Sequence, residues 1–146
     1  MEILTPDNMP VKVLAEMALN EGLYHSPAWT MISCYRDIIT NPDVEETSVM
    51  LVLRDDEQNC IGATFFNDEF CDYYWGTNIQ MFVKPQYRGQ GYAKLLFTQL
   101  NNYLKKSGWN GTLFCGYGVE GSGNFWYQMN KLHLNEPEQY CQVCLN

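Results

Sequence analysis

A chain of 146 residues fits one domain, 1–146, and is long enough to bury a sizeable core. With 46% hydrophobic and 18% charged residues it reads as a soluble globular protein, not a disordered segment. A net charge of −8 argues against a nucleic-acid surface, which needs clustered Lys and Arg, and favours a cationic partner such as an amine.

The opening "MEILTPDNMP" has neither a basic n-region nor an apolar h-region, and no apolar run reaches membrane-spanning length. A cytoplasmic protein without membrane contact is therefore expected. Six cysteines in that setting read as reduced thiols. Cys141 and Cys144 form one CxxC, but zinc would need two further ligands and no second pair exists, so no metal is expected.

"EILT" suits a short first strand. "DNMPVKVLAEMALNEG" suits a helix capped by Asn8 or Met9, with Pro10 in the first turn and Gly22 at the stop. Val11, Leu14, Ala15, Ala18 and Leu19 fall on one face of it. "SPAWTMISCYRDII" repeats the logic, with Ser26 as cap, Pro27 after it, and Trp29, Ile32, Arg36 and Ile39 at helical spacing. "TNPDVEE" reads as a loop.

The pattern then turns to strands. "SVMLVLR" and "CIGATFF" flank the turn "DDEQN", and Asn67 to Glu69 turn again. "FCDYYWGTNIQMFV" predicts a long strand with Gly76 as a bend. A helix from about Gly91 sets Tyr92, Leu96, Leu100, Tyr103 and Leu104 on one face, with Lys105, Lys106 and Gly108 at its end. "TLFCGYG" predicts a strand, "SGNFWYQMN" a short helix, and the tail a last strand. The order is β-α-α-β-β-β-α-β-α-β, an α/β or α+β mixed sheet with helices on both faces. The strands either side of the long helix should be parallel.

The chemistry concentrates in "VKPQYRGQGYAKLL". Pro85 stops a strand, Gly89 and Gly91 permit unusual backbone angles, and the helix that follows points free N–H groups into the turn. Such a nest, with a helix dipole behind it, binds anions and phosphates above all. Arg88 adds a charge. No GKS or GKT follows the glycines, and "GQGYAK" lacks the third glycine of a dinucleotide fingerprint.

Val83, Pro85 and Gln86-Tyr87-Arg88-Gly89-Gln90-Gly91 resemble the acetyl-CoA motif of the GNAT family of N-acetyltransferases, Gln/Arg-x-x-Gly-x-Gly/Ala after a strand ending in Val. The element order also resembles that family's along nearly the whole chain. The resemblance implies acetyl-CoA as cosubstrate. The N–H groups of Arg88, Gly89, Gln90, Gly91, Tyr92 and Ala93 would hold its pyrophosphate. Main-chain groups of Phe82 and Val83 would pair with its pantetheine arm, in a gap where the two parallel strands splay apart.

Acetyl transfer to an amine needs a deprotonated amine, a donor for the developing oxyanion and a proton for the leaving thiolate. A strand N–H near Val83 can serve as the donor. "NFWYQMNKL" resembles the family's last-helix signature, which implies Tyr127 as the acid; its plain alternative is one more core aromatic beside Phe125 and Trp126. The position matching the family's CoA-contacting Asn holds Glu120, and Asn124 is the offset substitute. Where many members carry a Glu on the long strand, this chain has Thr77. Asp72, Glu69 and Glu120, or Tyr73 and Tyr74 through water, stand as replacements for the base. His25 and His133 receive no role. The expected function is acetyl-CoA-dependent N-acetylation in a ternary complex, with a CoA-binding or structural protein on the same fold as the alternative. "EGLYHSPAW" and "HLNEPEQYC", acidic and aromatic, suit a cationic amine. A homodimer is left open.

Overall fold

The computed structural model describes residues 1–21, 36–68, 79–109 and 125. Strands β1 (Glu2–Leu4), β2 (Val49–Arg54), β3 (Cys60–Phe66) and β4 (Ile79–Val83) form one sheet in that order. Each neighbouring pair is antiparallel. Helices α1 (Val11–Asn20), α2 (Pro42–Thr47) and α3 (Tyr92–Lys106) accompany it. Residues 36–40 are also helical. The strand expected after the long helix, the expected final strand and the rest of the expected last helix fall outside the described residues; Phe125 is helical. None of the described helices is long and apolar enough to cross a membrane.

Alternation along the strands builds two cores. Leu4, Met50, Val52, Ala63, Phe65 and Phe82 face α1, where Val11, Leu14, Ala15 and Ala18 are buried and Leu19 packs at the margin. Leu51, Leu53, Ile79 and Val83 face α3 and meet Leu96, Phe97, Leu100 and Leu104. The pairing skips Ile61, because Leu53 lies opposite Gly62 and Arg54 opposite Cys60. That bulge sends Ile61 to the α3 core and Cys60 to the α1 core. Buried leucines contribute about 1.5–3 kcal/mol each, so Leu96, Leu100 and Leu104 fix α3 against the sheet far more firmly than helix propensity could.

Three local expectations are corrected. The cap of α1 is Pro10, at φ −58 and ψ 144. Asn8 is engaged elsewhere, its amide donating to the Ile3 carbonyl. "TNPDVEE" is not a loop but holds α2. Asn41 caps it by accepting from the Asp43 amide at 3.1 Å, and Pro42 occupies its first turn. In the segment 36–40 the buried residue is Ile38, while Arg36 is exposed.

Candidate functional site

Strand β4 ends for a local reason. Lys84 is extended, at φ −55 and ψ 140, as the residue before a proline must be. Its N–H makes the last rung to β3, donating to the Ile61 carbonyl at 2.9 Å. Pro85–Tyr87 then form a single 3-10 turn, in which the Tyr87 amide donates to Lys84 at 2.9 Å and the Arg88 amide to Pro85 at 3.3 Å. Gly89 (φ 77) and Gly91 (φ 87) are left-handed, and Gly91 is the N-cap of α3.

The helix's first internal bond runs from the Leu95 amide to the Gly91 carbonyl at 3.1 Å. Among the described residues, nothing accepts a hydrogen bond from the amides of residues 89–94. A Cβ added at Gly89 or Gly91 would meet nothing within 4 Å, so the backbone there is bare. Converging amides, roughly half a positive charge from the helix dipole and no covering side chain make a fitting seat for a diphosphate. Of the six amides expected to form it, that of Arg88 is already given to Pro85 inside the 3-10 turn. The Lys94 amide, in the same first turn of α3, is as open as the other five among the described residues.

Pleating decides which main-chain groups of β4 face away from β3. The Lys84 amide points to β3, and the Gln80 carbonyl also points there, accepting from Thr64 Oγ1 at 2.9 Å. Residues 80, 82 and 84 therefore address β3, and Met81 and Val83 address the opposite edge. The main-chain groups of Phe82, expected to face a ligand arm, are thus turned to β3, and those of Met81 and Val83 face the opposite edge. Phe82 instead presents its ring, over which the Arg88 guanidinium lies 5.3 Å from the centroid. Arg88 Nε also donates to the Val83 carbonyl at 2.8 Å.

On the α1 side, Lys84 Nζ lies 3.8 Å from the Glu21 carboxylate, tying the end of α1 to the end of β4. Cys60 is buried on the same face, and burial pushes its thiol from 9.0 up to about 11, against a smaller downward pull from Lys84. It stays a thiol at neutral pH and is no nucleophile. Among the described residues no cluster of His, Cys, Asp and Glu could hold a metal ion.

Tyr127, Asn124, Glu120, Glu69, Asp72, Tyr73, Tyr74, Thr77, His25, His133, Cys141 and Cys144 lie outside the described residues. Phe125, two positions before Tyr127, packs with the α3 core.

A family model described as an acetyltransferase (GNAT) domain matches residues 46–130, more than half of the chain and all of the turn described above. No curated protein matches. Among solved structures, a ribosomal-protein-alanine N-acetyltransferase from Brucella melitensis biovar Abortus 2308 is similar with a TM-score of 0.59 and 15% identity, covering 93% of each chain. A protein from Pyrococcus furiosus, described as an acetyl transferase, is similar with a TM-score of 0.52 and 11% identity, covering 87% of this chain and 89% of that one. At such identities the likeness is one of fold.

Proposed function

Because the chain belongs to the GNAT family of acetyltransferases, and is thereby an N-acetyltransferase of a family that uses acetyl-CoA, we propose that it acetylates a cationic amine by direct attack within a ternary complex. The observation that carries this reading is the set of uncommitted amides from Gly89 to Lys94, seated at the N-terminus of α3 beside the end of β4.

In this reading the diphosphate of acetyl-CoA lies on those amides. The pantetheine arm runs along the edge of β4 addressed by Met81 and Val83, in the gap before a parallel neighbouring strand. The Val83 N–H orients the acetyl carbonyl and meets the oxyanion as it develops. The amine arrives neutral, its proton taken by Glu69, Asp72 or Glu120, or through a water relay. Its nitrogen bonds to the acetyl carbon, the carbon–sulfur bond breaks, the thiolate takes a proton from Tyr127, and the proton that the acylated nitrogen sheds restores the tyrosine hydroxyl. Asn124 supports the CoA. Metal plays no part, and the cysteines are bystanders.

The acceptor is either a small amine or a protein amine, as the name of the Brucella enzyme would suggest by analogy. The acidic, aromatic segments 21–29 and 133–141 would receive it, as part of a single cytoplasmic domain that binds no nucleic acid and is able to pair as a homodimer.

Two measurements test this. Calorimetry should show acetyl-CoA binding, and thiol release should appear with some member of an amine panel. Tyr127→Phe keeps the ring and removes one oxygen, so acetyl-CoA affinity should hold while kcat falls roughly tenfold to a hundredfold. Absence of acetyl-CoA binding would sink the reading. Full activity in Tyr127→Phe would return that tyrosine to the core.

A further inference from the structure

We infer that the Arg88 side chain is a positioning residue, which fixes the spacing between the amides of the turn and the edge of β4 rather than offering a cation to phosphate. The inference rests on the acetyl-CoA reading above, because spacing matters only to a ligand that touches both places.

Two independent contacts hold the side chain of this exposed residue against the strand end. Nε donates to the Val83 carbonyl at 2.8 Å, and the guanidinium lies 5.3 Å from the centre of the Phe82 ring. Both partners are fixed, Phe82 and Val83 each being 8% exposed. The strand end cannot recede from the arginine either. β3 stands directly behind it, where a Cβ at Gly62 would come within 2.5 Å of the Phe82 carbonyl oxygen and 3.1 Å of the Val83 Cα.

Between this fixed strand end and the left-handed Gly89 lies one 3-10 turn, held by two main-chain bonds and carrying exposed Pro85 and Gln86. Without a brace, that turn could pivot and carry the amides with it. A charge-assisted hydrogen bond, about twice as strong as a neutral one, closes the five-residue span from Val83 to Arg88. A planar guanidinium can donate from Nε while stacking on a ring, and a lysine ammonium cannot reproduce that pair of contacts. A diphosphate held by the amides alone does not sense the spacing. A thioester that must reach the Val83 N–H does.

The experiment compares two ligands by calorimetry, acetyl-CoA and 3′-phosphoadenosine 5′-diphosphate, the half of CoA that carries the diphosphate. Arg88→Lys keeps the charge and loses the Nε donor, whereas Arg88→Gln loses both. In each variant the half-ligand should bind within about twofold of wild type. Acetyl-CoA affinity should fall about fivefold or more, with a matching fall in kcat, because the reacting carbonyl is misplaced. Arg88→Lys binding both ligands like wild type, while Arg88→Gln loses both equally, would make Arg88 a phosphate contact and overturn the inference. So would unchanged acetyl-CoA affinity and kcat in both variants. Wild-type protein that binds neither ligand overturns the acetyl-CoA reading itself, and this inference with it.

Discussion

The turn between β2 and β3 and the turn between β4 and α3 both pass through left-handed backbone, at Gln58 in the first and at Gly89 and Gly91 in the second. They treat their amides in opposite ways. In the first, Asp55 is a built-in anion. Its Oδ1 accepts from the Glu57 and Asn59 amides at 2.9 Å each, and its Oδ2 from the Asn59 side chain at 3.4 Å. Main-chain bonds from Asp55 to the Asn59 carbonyl and from Gln58 to the Asp55 carbonyl complete the seal. The second turn, "PQYRGQG", contains no carboxylate. Converging amides need an acceptor, and where the sequence supplies none the acceptor comes from a ligand or from water. An internal anion closes the first turn; the second leaves its amides open, as the proposed acetyl-CoA reading requires.

The largest way to break that comparison is to cover the bare backbone. Gly91→Val sets a branched side chain on the amide face at a positive φ. Acetyl-CoA affinity should fall tenfold or more, about 1.4 kcal/mol, by calorimetry. Strain alone could damage the fold in that variant, since valine resists left-handed backbone. Gly91→Asn separates the causes, because asparagine tolerates αL and still covers the amides. A folded Gly91→Asn protein with undiminished affinity would remove the diphosphate from this turn.

The closed turn should answer to acid instead of to ligand. The Asn59 amide, above all, holds the Asp55 carboxyl below its ordinary 3.8. A carboxylate lowered on folding stabilises fully above its unfolded pKa, and that contribution is lost as pH falls through the folded one. Stability should therefore drop below about pH 3.8, with Asp55 among the contributors. Asp55→Asn retains acceptors but not the charge, so urea unfolding should show a flatter acid limb. Acetyl-CoA affinity at pH 7 should stay within about twofold, well under 1.4 kcal/mol. An unchanged acid limb would show that the anion does not hold the turn.

Much of this contrast was legible beforehand. The glycine spacing after Val83 announces bare amides, and the alternation of "SVMLVLR" and "CIGATFF" announces the hairpin, because both signals are local. What escaped depends on neighbours. Helix α2 buries no residue, so no apolar period marks it, although Asn41 and Pro42 carry its start signal. The Ile61 bulge is invisible in a run whose residues are all buried. Arg88 is written in the motif, but the direction of a long side chain follows from the 3-10 turn beneath it, and no spacing rule encodes that. Asn8 looks like a helix cap until the Ile3 carbonyl claims its amide.

The smallest effect lies at Gln58, whose φ of 67 is the left-handed conformation that the second turn assigns to glycine. An exposed glutamine there gains nothing visible for the conformation it adopts, since its amide bond to Asp55 is main-chain. Two opposed terms follow from Gln58→Gly. Left-handed strain of roughly 1–2 kcal/mol is relieved, and unfolded-chain freedom of roughly 0.5–1 kcal/mol is added. Strain is the larger, so the variant should gain about 0.5 kcal/mol in urea unfolding at pH 7. Acetyl-CoA affinity should not change, because Asp55 still seals the turn and leaves no seat for an outside anion. A Gln58→Gly protein of lower stability would mean that the glutamine side chain holds the turn as well as Asp55 does. New phosphate binding in that variant would show that side-chain bulk, and not the internal anion, is what separates the closed turn from the open one.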